Sequence, residues 1–338
     1  MKTIAVTLGD PGGIGPEVAL KALYQNRWPA TLRFVLVGSR SILCRQAAQL
    51  SLPLPPAWQL ADGKNNTARI VNWEPEQDLK PKSKPLAWRP GSTGKAQGQA
   101  AVCWITAAVN GCMARTFDAL VTGPICKHGL RLAGLPFPGH TEFLAALTGT
   151  RSFAMMLLGG PLRVVLVTRH LPLAKVPGAV SRQAIRVAVR LAAQALPWLG
   201  VKQKTVGICA LNPHAGDEGV LGREEITIIR PELCALRRKG LNLAGPVPGD
   251  VIFHQALQGR YGAIVAMYHD QGLGPLKMIA FEEGVNLTLG LPIVRTSPDH
   301  GTAFDIAGKG RARADSMAAA IRLAARLAHR QNPWTPCS

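Results

Sequence analysis

GAIVAMYHDQGLGPLK, residues 262–277, holds an apolar, β-branched run that ends in a histidine. A short run of this kind, with a glycine at its start, predicts a buried strand. His269 then leaves the strand's carboxyl end, where open α/β sheets place their ligand sites. Two more segments share the design: RVVLVTRH (163–170) delivers His170, and VGICALNPH (206–214) delivers His214. Three imidazoles with open positions left for substrate make a catalytic metal site of the zinc type. No short H-x-x-x-H spacing links them, so unrelated strand-end histidines bonded to nearby backbone fit the spacing equally well.

Outward from these segments, strands and helices alternate. TIAVTLG is a strand, GDPGGIG a loop and PEVALKALYQ a helix with Pro16 at its first position. TLRFVLVG and FDALVTGPI read as further strands, and GKAQGQAAVCWITAAVNGCMARTF as a long helix between them. Helices are expected at 181–199 and 224–238 and from about Thr141, and VNLTLGLPIV is strand-like. This rhythm predicts an α/β protein with a largely parallel sheet. The polar, Pro-rich stretch from about Ser51 to Gly91 is expected to carry at most short irregular strands.

At 338 residues the chain exceeds what one core usually supports, so two lobes are expected. Residues 1–125 with 280–338 form the first, and 126–279 form the second. Hydrophobic content of 47% with 17% charged residues is globular, and no apolar stretch approaches the length of a membrane helix. The start, MKTIAVTLGDPGG, lacks the long apolar core of a signal peptide. Seven cysteines without a CxxC pair read as reduced thiols, and the expected location is the cytoplasm. The net charge of +19 attracts phosphorylated metabolites and nucleic acid alike. The basic residues are dispersed, however, and no RRM, KH or zinc-finger signature accompanies them, so no specific nucleic-acid partner is expected.

The GDPGGIG loop lacks the G-x-G-x-x-G spacing and the P-loop Lys-Ser pair, which leaves it first a structural turn. HGTAFDIAGKG, residues 300–310, is more specific. It resembles the HGSAPDIAGKG cofactor loop of the isocitrate and isopropylmalate dehydrogenases. In that superfamily the loop wraps the adenosine end of NAD in a cleft between two lobes. Gly301, Thr302 and Ala303 are small enough for backbone donors to approach a nucleotide, and Asp305 can accept from ribose or adenine.

Much longer blocks carry a second resemblance: TLGDPGGIGPE, VTGPICK, PGHTEFLA, LNPHAG, MYHDQGL with its following lysine, VNLTLGLP and RTSPDHGTA. In this order they resemble the 4-hydroxythreonine-4-phosphate dehydrogenase family of pyridoxal phosphate biosynthesis. The resemblance implies the two-lobed isocitrate/isopropylmalate dehydrogenase-like fold with an interlobe cleft. It also implies a homodimer with a site at the subunit interface, in which His170, His214 and His269 bind one divalent metal. His140, Thr141, Lys277, Asn286 and Arg295 match the residues that bind the phosphorylated substrate. The implied reaction is NAD- or NADP-dependent oxidation of 4-(phosphooxy)-L-threonine to 2-amino-3-oxo-4-(phosphooxy)butanoate, which decarboxylates to 3-amino-2-oxopropyl phosphate.

The residue types suit that chemistry. A cation held by neutral imidazoles keeps its charge and acidifies a bound hydroxyl. Such ligands suit zinc or cobalt better than magnesium. Arg295 can grip two phosphate oxygens at once, and Lys277 adds charge. Asp270, beside His269, and Asp250, in VPGDVIF, are the candidate general bases; either also fits an imidazole-orienting role or, for Asp250, a helix cap. His269 is expected to meet His170 and His214 of the partner subunit. Two other activities fit the fold: a sister dehydrogenase acting on threonate or erythronate 4-phosphate, and a phosphate acyltransferase. The sister enzymes tend to carry His-Ile-Pro after HDQG, where this chain has Leu273-Gly274-Pro275.

Overall fold

The computed structural model describes residues 1–60, 68–75, 86, 88–135, 137 and 139–335. The chain groups into two compact units, Met1–Thr150 with Leu291–Ser338, and Arg151–Gly290. Both are α/β.

In the first unit five strands run in the order β3 (Ile70–Trp73), β2 (Leu32–Val37), β1 (Lys2–Thr7), β4 (Ala119–Thr122) and β11 (Arg295–Pro298). All their pairings are parallel. Parallel strands covered on both faces need apolar residues at every position, and β2 and β4 are buried throughout. Helices Gly15–Tyr24 and Asp315–Leu327 pack on each other, and the second also lies on β11 and β4. Of the Pro-rich stretch, β3 is the only strand among the described residues, and 61–67, 76–85 and 87 lie outside them.

The second unit carries β10 (Val285–Leu289), β5 (Ala154–Gly159), β6 (Leu162–Leu166), β9 (Ala263–Ala266), β7 (Val206–Cys209) and β8 (Leu243–Val247), in that order. β10, β5 and β6 are antiparallel neighbours, and the remaining pairings are parallel. The core between this sheet and helices Gly249–Leu257 and His269–Ala280 includes Val164, Leu166, Ile252, Ile264, Leu273 and Leu276. Gly272 lets the last helix sit tight on the sheet: a methyl there would lie 2.7 Å from Val164 Cγ1.

The units differ from the lobes expected from sequence. The first crossing falls after Thr150 rather than 125, and the second after Gly290 rather than 279. Helices Lys127–Leu132 and His140–Leu147 pack on Lys95–Met113, so they stay with the first unit. β10 pairs with β5, so it stays with the second. His140, Thr141 and Arg295 therefore share one unit, while Lys277 and Asn286 belong to the other. The six described cysteines are free, and Cys44 and Cys234 are exposed.

Candidate active site

The three histidines follow the carboxyl ends of three adjacent strands, β6, β9 and β7. Parallel register aligns Leu166 with Ala266 on β6 and β9. Both histidines leave these neighbouring strand ends, and their ring centroids lie 5.6 Å apart. Two imidazoles sharing one tetrahedral cation, each nitrogen about 2.0 Å from it, put ring centroids roughly 5 Å apart. The pair therefore fits two ligands of one metal ion. His269 Nδ1 lies 2.7 Å from Asp270 Oδ1, so any ligation by this ring would fall to Nε2. Asp270 is otherwise open, with 89% of its side chain exposed.

His269 is expected to meet His170 of the partner subunit; within one chain the two imidazoles also lie side by side, because their strands are neighbours in the sheet. No three or more His, Cys, Asp or Glu side chains form a metal-binding group among the described residues. His214 opens a run of five residues, through Glu218, whose φ values lie between 41° and 84°. Left-handed backbone costs roughly 1–2 kcal/mol for each non-glycine residue, so the loop carrying this imidazole is held under strain.

Gln271, which the sequence reading did not single out, ties two of these strand ends together. Its Oε1 accepts from Met267 N at 2.7 Å and its Nε2 donates to Ala210 O at 2.6 Å. Its place in the HDQG block was the available signal. Asp250 sits exposed in the first turn of Gly249–Leu257, where a carboxylate complements the helix N–H groups.

In the first unit, Arg295 is almost wholly buried, at 1% exposure. Its Nη2 and Nε donate to Thr122 Oγ1 at 2.6 and 3.2 Å. Burial pulls its pKa down to about 9, against the raising influence of Glu142. A buried guanidinium keeps a strong affinity for anionic groups that can reach it. His140 and Thr141 open helix His140–Leu147, and Thr141 is buried. His140 Nε2 is enclosed with no hydrogen-bond partner. Burial, and then the Arg295 charge, hold its pKa well below the ordinary histidine value. It is thus a neutral imidazole with one idle nitrogen. In the second unit, Asn286 Oδ1 is likewise buried and unpartnered, and Lys277 Nζ stacks 5.5 Å over the Phe281 ring.

The GDPGG loop is more than a turn. Asp10 is buried, accepting from Thr93 Oγ1 at 2.6 Å and from Gly12 N at 3.0 Å, and burial raises its pKa. Ile14 N donates to Thr302 O at 2.9 Å, so this loop holds the 300–310 loop in place. Glu17 and Lys21 bind its far end: Lys21 Nζ donates to Gly310 O at 2.9 Å, and Glu17 Oε1 accepts from Ala312 N at 2.8 Å. Within the loop, Asp305 is exposed and Ala303 adopts φ 41°.

Comparison with known proteins places this geometry. A family model described as pyridoxal phosphate biosynthetic protein PdxA matches residues 30–324. A 4-hydroxythreonine-4-phosphate dehydrogenase of Caulobacter vibrioides is 43% identical over 98% of both chains. A D-threonate 4-phosphate dehydrogenase of Pectobacterium atrosepticum is 40% identical, over 97% of this chain and 99% of its own. The crystal structure of 4-hydroxythreonine-4-phosphate dehydrogenase from Klebsiella pneumoniae superposes with a TM-score of 0.84 at 38% identity, covering 97% of this chain and all of that one. These matches bear out the expected fold class. The chain therefore belongs to the family of the pyridoxal phosphate biosynthetic protein PdxA and is an oxidoreductase of the dehydrogenase type.

Proposed function

We propose that the protein oxidises 4-(phosphooxy)-L-threonine at its secondary alcohol, with NAD or NADP as acceptor. The product, 2-amino-3-oxo-4-(phosphooxy)butanoate, loses carbon dioxide to give 3-amino-2-oxopropyl phosphate. The observation that carries the reading is the His170–His269 imidazole pair, spaced for one cation and oriented by Asp270. When bound, a zinc, cobalt or magnesium ion acidifies a coordinated alcohol and offsets developing negative charge, and the nicotinamide takes the hydride.

The chain's own residues supply the rest. His170 and His269 are ligands from one subunit, and His214 of the partner subunit is the third. Large apolar side chains exposed on the same unit support such a dimer: Leu173, Val220, Met278 and Phe281 are each at least 70% exposed. Arg295 neutralises an anionic group of the substrate, and the enclosed His140 Nε2 and the buried Thr141 lie in the same unit to complete that subsite. Lys277 and Asn286 bind the substrate's other polar groups. Asp270 keeps His269 in its ligating tautomer and is favoured over Asp250, for which no imidazole bond is seen among the described residues. The 300–310 loop receives the nucleotide on Gly301, Thr302 and Ala303, with Asp305 as acceptor. The reading of the cysteines as reduced thiols supports a cytoplasmic location. Separately, no helix among the described residues is long and apolar enough to cross a membrane.

The Pectobacterium relative supports a second reading, oxidation of threonate 4-phosphate. NADH formation should be measured with each phosphorylated substrate, with and without chelator. Turnover of 4-(phosphooxy)-L-threonine that chelation abolishes is the expected result. Turnover confined to threonate 4-phosphate would transfer the assignment to the second substrate, and chelator-resistant turnover would remove the metal.

A further inference from the structure

We propose that Glu225 is a positioning residue: its buried carboxylate holds the left-handed turn His214–Glu218 and so aims the His214 imidazole at the cation. The proposal rests on the metal reading above.

The turn cannot hold itself. Residues 214–218 form about one turn of left-handed backbone, and four of them are not glycine. L-residues visit this region singly, not in runs. Such strain persists only where the surroundings over-determine it, and it gathers at functional sites.

Glu225 is what over-determines it. The residue is fully buried. Its Oε1 accepts from the backbone N–H of Leu211 and of Asn212, each at 2.8 Å, and its Oε2 accepts from the Asn212 amide at 2.9 Å. All three donors belong to the two residues that lead from β7 into Pro213 and His214. The Asn212 amide also donates to Glu224 Oε2 at 2.7 Å, so two consecutive carboxylates grip one side chain. From the other side, the turn closes directly onto the same group. A methyl on Gly216 would lie 2.8 Å from Glu225 Oε2 and 2.9 Å from Gly222 O. The carboxylate thus sits beneath the turn, bonded to its entry and packed against its middle. Glu225 also opens a π-helical turn, Glu225–Ile229, a rare local geometry that recurs at functional sites.

A buried carboxylate is costly unless hydrogen-bonded. Here the hydrogen bonds of the Glu225 carboxylate to Leu211 and Asn212 all fall within three residues of His214. A purely structural carboxylate would hold this loop equally well; what distinguishes a positioning role is a loss of metal affinity that follows the loop.

The test is a Co(II) titration of the full chain by calorimetry, on wild type, His214→Ala, Glu225→Ala, Glu225→Gln and Asn212→Ala. Hydrogen exchange of residues 211–222 is followed in parallel. Wild type is expected to bind Co(II). His214→Ala and Glu225→Ala should each weaken binding about 10–100-fold, the range seen when groups that orient metal ligands are removed. Glu225→Gln keeps an acceptor for the two backbone donors and should recover part of the loss. Exchange should rise in 211–222 and stay unchanged in β6 and β9. If Glu225→Ala does not fold, Glu225→Gln and Asn212→Ala carry the same test. Wild-type affinity in every folded Glu225 and Asn212 variant, with His214→Ala still impaired, would overturn the positioning role and leave the metal reading standing. Wild-type affinity in His214→Ala would overturn the metal assignment itself, and the proposal with it.

Discussion

Replacing Arg295 by methionine should separate binding from stability. The guanidinium is buried, makes two bonds to one hydroxyl, Thr122 Oγ1, and is held below its ordinary pKa by desolvation. Taking a cation out of water costs several kcal/mol, a cost that an apolar side chain of similar volume does not carry. Arg295→Met is therefore expected to hold or raise the melting temperature in the absence of ligand. Substrate binding should move the other way. A bidentate contact to an anion amounts to two charge-assisted hydrogen bonds at about 1.5–3 kcal/mol each. Taking about 3 kcal/mol as lost, affinity falls by roughly 150-fold at tenfold per 1.4 kcal/mol. Arg295→Lys keeps the charge without the planar fork and should lose about tenfold. The assay is the KM for 4-(phosphooxy)-L-threonine, together with the melting temperature with and without that compound. A large drop in melting temperature with an unchanged KM would mean that Arg295 is a structural cation and would refute the argument.

Inactive His214→Ala chains mixed with inactive His170→Ala chains should regain turnover, because a mixed dimer then holds one intact set of three ligands. The mixture of His170→Ala with His269→Ala should stay inactive, and the reverse pattern would exclude the assignment. Asp305→Ala should raise the KM for NAD by about tenfold or more, with the substrate KM little changed; an effect on the substrate alone would give the 300–310 loop another role. His140 supplies a pH test. Its folded pKa lies well below the ordinary 6.5, so below that pH the unfolded chain binds a proton that the folded chain refuses. Stability should then fall as pH drops through about 6.5, by at most about 1.4 kcal/mol per unit. Urea midpoints at about pH 7.5 and about pH 5 should show that His140→Asn has a shallower acid decline; an equal decline would mean that His140 titrates normally.

Much of this protein was legible in the linear order of its residues. Apolar, β-branched runs that end in histidine identify parallel strands and put each histidine at a carboxyl end, because a strand buried on both faces tolerates little else. Long motif blocks in family order carried the family. What tertiary structure decided was adjacency. His170 and His269 are 99 residues apart, yet they meet because β6 and β9 are neighbours in register, and strand order is not written in any local pattern. The boundary at Thr150 followed from helices packing on Lys95–Met113, and β10 was assigned by its pairing with β5. Asp10, Gln271 and Glu225 were passed over for a common reason. A carboxylate or amide that works through backbone donors has no spacing signature, and its role exists only once the chain folds its partners around it.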